Sequence, residues 1–174
     1  KVVVSLSSGQ RLTWPVELHV WPFALPFPSR LRTAFSALLH YDAGRWYGFK
    51  GLPPRDFRLK FYRLMLDHRL NPTCLYSQYM FPPREDIAWC IERGMNAFNV
   101  CYATNPGCVE YVAEQASWLR QRGWLPLAFV YGIDEAKPEQ YPALRQVFRL
   151  IAKRAPGLRR ACTVAPCEQL DDVV

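Results

Sequence analysis

Gly94, Gly123 and Gly157 stand about 30 residues apart, the length of one β/α unit, and each ends a stretch with helical apolar spacing. Arg84 to Arg93 places Ile87, Ala88 and Ile91 on one face, and Val109, Val112, Ala113, Ala116 and Leu119 form the next stripe. Tyr141, Leu144, Val147, Phe148 and Ile151 form the third. Glycine stops a helix readily because it enters the left-handed conformation that satisfies the last carbonyls. A short apolar run follows each stop: Ala97 to Tyr102, Leu127 to Ile133, and Ala161 to Val164. Upstream, Asp56 to Leu70 carries Phe57, Phe61, Leu64 and Met65, and Asn71-Pro72 ends it before a strand near Leu75 to Tyr79. Thr33 to Leu39 supplies the strand before that helix. Five successive β/α steps predict parallel strands with covering helices and right-handed crossovers.

The first 28 residues break this pattern. Val2 to Leu6, the turn-like Ser7-Ser8-Gly9, and the alternating Val16, Leu18 and Val20 read as antiparallel strands, followed by the Pro-interrupted run Trp21 to Pro28. Residues 1–28 are therefore expected to be the end of a preceding β domain with its linker, and residues 29–174 an α/β domain. A doubly wound sheet is complete at five strands, whereas a (β/α)8 barrel takes about 250 residues, so a barrel in this chain would be partial.

Half of the residues are hydrophobic and 14% aromatic, which predicts a packed globule. The charge of +7 comes from 22 basic against 15 acidic residues. Its arginines are spread along helices, including Arg55, Arg58, Arg63, Arg145 and Arg149, as solvated faces rather than one patch. No nucleic-acid partner is expected. Cysteines at 74, 90, 101, 108, 162 and 167 form no Cys-x-x-Cys pair and have no histidine at ligand spacing, so no metal is expected. Cys90, Cys101 and Cys162 fall in apolar patterns and read as small buried hydrophobes. His19, His40 and His68 are scattered and read as structural. No phosphate loop or dinucleotide fingerprint calls for a cofactor. A run of about 20 apolar residues is absent, so no membrane span is expected in this segment. Secretion or periplasmic residence would require a leader upstream of Lys1, and oligomeric state stays open.

Chemistry concentrates in Leu127 to Glu135, where an apolar strand delivers two adjacent carboxylates to its C-terminal end. Alternation puts Leu127, Phe129, Tyr131 and Ile133 on a bulky face and Ala128, Val130, Gly132 and Asp134 on a small one. Asp134 would point inward and Glu135 would sit at the rim. The competing reading makes Asp134 the N-cap of the helix that Pro138 starts. Other strand ends reach the same mouth. Gln78 and Tyr79 follow the second strand. Asn99 shares the small face of the third, where its amide binds a sugar hydroxyl or satisfies a backbone group. Tyr102 lies on the opposite, bulky face and either lines the mouth or packs under a helix. The aromatic loop Tyr41 to Phe49, with Trp46, offers a stacking platform or a lid over its own rings.

Three features together resemble the catalytic region of glycoside hydrolase family 123 and the bacterial proteins similar to it. They are Val16-Glu17-Leu18-His19-Val20-Trp21-Pro22-Phe23-Ala24-Leu25-Pro26, the β/α series, and Tyr131-Gly132-Ile133-Asp134-Glu135. The resemblance covers roughly residues 12 to 165. It implies the end of a β-sandwich followed by about five strands of a (β/α)8 TIM barrel, in a fragment not expected to turn over substrate alone. It also implies a glycosidase that cleaves β-linked N-acetylhexosamine, N-acetylgalactosamine favoured, by substrate-assisted retention without a cofactor. Glu135 would be the general acid/base, and Asp134 would orient the 2-acetamido group as its carbonyl attacks the anomeric carbon. Tyr79, Asn99, Tyr102 and Trp46 would contact the carbohydrate. A carbohydrate-binding relative without hydrolysis and an unrelated small α/β binding domain are the alternatives. Many relatives follow the acid pair with Pro, whereas Ala136 and Lys137 intervene here; Lys137 either salt-bridges an acid or is an exposed first-turn lysine.

Overall fold

The computed structural model describes residues 1–165 and 167–172, with the side chain of His40 left aside. The chain begins as an antiparallel hairpin of β1 (Val2–Ser5) and β2 (Arg11–Trp14). The second strand lies earlier than the alternation of Val16, Leu18 and Val20 suggests. Gly9, at φ +85°, closes a short turn that pairs Ser5 with Arg11, and Pro15 cannot continue the ladder. Residues 15 to 28 have no regular structure, and Leu18, Val20, Trp21 and Phe23 are exposed.

Strand β3 (Phe35–Ser36) leads into helix α1 (Leu39–Tyr47), and α2 (Arg55–Asp67) precedes β4 (Pro72–Thr73). The aromatic stretch expected as a loop is thus mostly helix. Leu39 and Ala43, one turn apart, are buried beneath it, and Gly48 in the left-handed conformation caps it through the carbonyls of Ala43 and Gly44. Then follow α3 (Arg84–Glu92), β5 (Phe98–Tyr102), α4 (Cys108–Gln121), β6 (Ala128–Tyr131), α5 (Tyr141–Arg154) and β7 (Arg159–Ala161). The helices after residue 84 and their glycine stops lie where the periodicity puts them. The strand expected at Leu75 to Tyr79 instead forms at Pro72–Thr73, directly after Asn71, and the later residues turn away.

The expectation of a sandwich end followed by part of a TIM barrel is overturned. Among the described residues the seven short strands form three small sheets in a mixed α/β arrangement: β1–β2, β3–β4, and β5–β6–β7, with no barrel closure. The hairpin is a separate two-stranded sheet with every β1 residue exposed, not a sandwich layer. Parallel pairing itself holds for β3–β4, β5–β6 and β6–β7. Between β4 and β5 the ladder is replaced by side chains. Thr73 Oγ1 accepts the Asn99 amide at 2.8 Å, and Asn99 Nδ2 donates to the carbonyls of Cys74 and Leu75. Continuous barrel pairing fails at this seam because β4 contributes only two ladder residues.

Helices α3, α4 and α5 bury Ile87, Val112, Leu119, Leu144, Phe148 and Ile151. Gly132 is required by close approach: a Cβ there would lie 2.6 Å from Phe148 Cζ and 2.7 Å from Leu144 Cδ1. One arginine expected on a solvated face is instead buried. Arg58 donates to Asp86 at 2.8 Å and to Glu85 at 2.9 Å, joining α2 to α3, with Asp86 fully buried. Tyr62 packs edge-on against Phe81, and among the described residues its buried hydroxyl has no hydrogen-bond partner. All six cysteines are free; Cys90 and Cys101 are buried, and Cys162 is half-buried.

Candidate functional site

The C-terminal ends of parallel strands leave backbone groups and side chains free to converge, and here three tyrosines do so. Tyr76 follows β4, Tyr102 ends β5 and Tyr131 ends β6. Their ring centres lie 5.7 Å apart for Tyr76 and Tyr102, 6.0 Å for Tyr76 and Tyr131, and 6.1 Å for Tyr102 and Tyr131. Asp134 is held among them. Tyr76 Oη donates to Asp134 Oδ2 at 2.6 Å, and Tyr131 Oη donates to Asp134 Oδ1 at 2.7 Å. The amide of Asp134 donates to Tyr102 Oη at 3.4 Å, and Tyr131 Oη also meets Thr163 Oγ1.

A β-bulge brings Tyr102 into this cluster. Asn99 pairs with Phe129 and Tyr102 with Tyr131, so three steps along β5 match two along β6. Residues paired across a ladder share a face, and the extra residue moves Tyr102 onto the side of Tyr131. The simple alternation that sends Tyr102 under a helix fails at this bulge. The face assignment of β6 also reverses: Gly132 meets α5, and by alternation Val130 and Ala128 turn the same way, so the small face is the helix-covered one. Strand geometry stops at Tyr131, and residues 132 to 135 turn Asp134 toward the tyrosines.

Asp134 is exposed, and its carboxyl is held below the ordinary carboxylate range, first by the Tyr76 hydrogen bond and then by that of Tyr131. The tyrosines shift in return. Tyr76 is pushed up to about 12, chiefly by donating to Asp134, and the Glu135 charge acts in the same direction. Tyr131 is pushed up to about 12, by burial first. The pair of hydroxyls stays protonated and the carboxylate stays ionised through the neutral range, a fixed negative charge facing solvent.

Glu135 sits next to it with φ +46°, in the left-handed region that non-glycine residues seldom adopt. The Asp134 hydrogen bonds on one side and the Ala136 amide donating to the Thr163 carbonyl at 3.1 Å on the other hold the turn. Such a conformation persists where the surroundings over-determine it. Glu135 is exposed, as a rim position implies, and among the described residues its carboxylate has no hydrogen-bond or ion-pair partner. Lys137 is exposed and pairs with neither acid; its amide donates to Gln140 Oε1 at 2.9 Å, which makes Lys137 the residue that opens the next helical turn. Asp134 is therefore not an N-cap.

Of the other expected contacts, Asn99 is buried and fully committed to backbone. Besides Cys74 and Leu75, it accepts the Tyr131 amide at 2.9 Å and so positions the strand end that carries the site. Tyr79 is exposed beside the cluster, in a cleft of about 500 Å³ that Tyr76, Gln78 and Leu52 also line. Trp46 is exposed on α1 under the Arg45 guanidinium, outside the hydrogen bonds around Asp134. His19 and His68 take no part in those bonds, and the His40 side chain lies outside the described residues. Sequence reasoning missed Tyr76, Tyr131 and Thr163 as site residues. A tyrosine at or just past the end of three successive strands is the signal that would have found the first two. No family model matches the chain, and no curated protein matches it.

Proposed function

We propose that the chain is a glycoside hydrolase that cleaves β-linked N-acetylhexosamine, N-acetylgalactosamine favoured, by substrate-assisted retention. The observation that carries this reading is the Asp134 carboxylate, held ionised by two tyrosine hydroxyls at the C-terminal ends of parallel strands, beside an aromatic cleft. A fixed carboxylate suits an acetamido N–H, which it orients and whose developing positive charge it stabilises while the carbonyl oxygen attacks the anomeric carbon. Glu135, one residue on and unpaired among the described residues, is the group that would protonate the leaving oxygen and then deprotonate the incoming water. Lys137 stays clear of both acids, which removes the salt bridge that would oppose a general acid. The resemblance to glycoside hydrolase family 123 assigns the same two roles.

Hydrolysis of aryl β-N-acetylgalactosaminide and β-N-acetylglucosaminide tests this. In the full-length protein, wild type should release the aryl alcohol, Glu135→Gln should lose at least about 100-fold in kcat, the range of one general acid/base, and Asp134→Asn should lose activity too. Release that both variants retain would refute the assignment.

A specific observation favours a second reading, a carbohydrate-binding site without hydrolysis. Glu135 is exposed and no apolar wall encloses it, unlike the setting usual for a general acid. Under that reading the sugar binds and Asp134→Asn weakens it, while Glu135→Gln changes nothing.

A further inference from the structure

The segment from Tyr76 to Phe81 forms one wall of the cleft beside Asp134, and it is held from several directions. Tyr76 donates to Asp134. The Ser77 carbonyl accepts the Tyr102 amide at 2.9 Å and Asn105 Nδ2 at 3.4 Å. The Met80 amide donates to Tyr111 Oη at 2.9 Å, the Tyr79 ring meets the Tyr111 ring edge-on at 5.5 Å, and Phe81 is buried against Tyr62. Leu38 and Leu52 also line the cleft. The wall is thus arranged before any ligand arrives, which lowers the ordering cost of binding.

Its chemistry narrows the occupant. The lining holds no Lys, Arg, Asp or Glu, so it offers nothing to an anion or a cation beyond the neighbouring Asp134. Tyr76 and Tyr79 supply aromatic surface, 45% and 61% exposed respectively, alongside the apolar Leu52. Gln78 supplies an amide that has no partner among the described residues. Aromatic rings beside a free amide match a pyranose ring, which presents C–H groups on its faces and hydroxyls around its edge. The volume of about 500 Å³ lies within the ordinary range for small-molecule sites. Tyr76 belongs to both places: its hydroxyl is on Asp134 and its ring lines the cleft.

We infer that this cleft is a second sugar subsite, which takes a neutral ring linked to the N-acetylhexosamine that Asp134 holds. The inference rests on the proposed function, and the preferred ligand is then a disaccharide or longer neutral glycan rather than a single ring. Leu52 is the residue to vary, because it is 45% exposed, lines the cleft and takes no part in the hydrogen bonds around Asp134.

Calorimetric titration of the full chain with methyl β-N-acetylhexosaminide and with a β-linked N-acetylhexosamine disaccharide tests the inference. The disaccharide should bind at least about 10-fold tighter, a step of about 1.4 kcal/mol. Leu52→Arg, which fills the cleft, should remove that gain and leave the methyl glycoside unchanged, and Leu52→Ala should reduce it. The unchanged methyl glycoside shows that each variant is folded. Equal affinity for the two ligands in wild type, or a disaccharide gain that survives Leu52→Arg, overturns the second subsite and leaves the Asp134 reading standing. Binding of neither ligand overturns both.

Discussion

Asp134 and Tyr76 are bound by a hydrogen bond whose two ends titrate in opposite directions. Because the carboxyl is held below its ordinary value in the folded chain, its stabilising effect is present above the unfolded carboxylate range and is lost as pH falls through the lowered value. Because Tyr76 is raised from 10.0 to about 12, its effect is present below pH 10 and is lost as pH rises through 12. Replacing Asp134 by Asn removes the carboxylate whose hydrogen bond chiefly raises Tyr76. Ultraviolet titration of tyrosinate should then show one additional phenol ionising between pH 10 and 12 in Asp134→Asn than in wild type. Superimposable titration curves would mean that the two groups do not share a proton in solution. Tyr62 gives a second prediction of this scale. Among the described residues its buried hydroxyl meets no partner at hydrogen-bonding geometry, and its phenol is pushed far up by burial, so Tyr62→Phe keeps the ring against Phe81 and removes the polar group. Urea unfolding should show the variant more stable by about 1 kcal/mol; a loss of stability would show that the hydroxyl is satisfied after all.

At the scale of elements, the helices were the most legible part of the sequence. Stripes such as Leu144, Phe148 and Ile151 on α5 declare a buried face directly, and all three are fully buried. Strand β6 was legible as a strand but not as a face. Its small residues are small because α5 lies against them, and a sequence shows the size of a residue without showing what presses on it. Gly132 records that pressure most sharply: Gly132→Ala should cost about 1–3 kcal/mol by thermal or urea unfolding, as overpacking does. A neutral effect would place α5 farther from β6. The bulge in β5 was not legible, since Phe98 to Tyr102 alternates without a glycine or other local mark of the extra residue. Helix α1 was obscured by its own composition, because Trp46 and Tyr47 are exposed while, among the described residues, Leu39 and the unassuming Ala43 are buried.

For the whole molecule, local order carried farther than global architecture. Repeated β/α steps correctly imply parallel neighbours, yet the same repeats say nothing of whether strands join into one sheet. The seam between β4 and β5, bridged by Thr73 and Asn99, is a matter of two ladder residues and a pair of side chains. The acid pair was legible because two carboxylates at a strand end are conspicuous, whereas Tyr76, the tyrosine that most lowers the Asp134 carboxyl, stands 58 residues from it and meets it only in the fold. Partners are constrained only coarsely: among the described residues no helix is long and apolar enough to cross a membrane. The proposed glycosidase chemistry requires the ionised Asp134 to hold an acetamido group as its carbonyl closes on the anomeric carbon. Affinity for a thiazoline mimic of that cyclised intermediate, compared with the parent N-acetylhexosamine, measures this most directly. Wild type should bind the thiazoline at least about 100-fold more tightly, and Asp134→Asn should lose most of that difference. Equal affinity for thiazoline and parent sugar in wild type, or an advantage that survives Asp134→Asn, would contradict it.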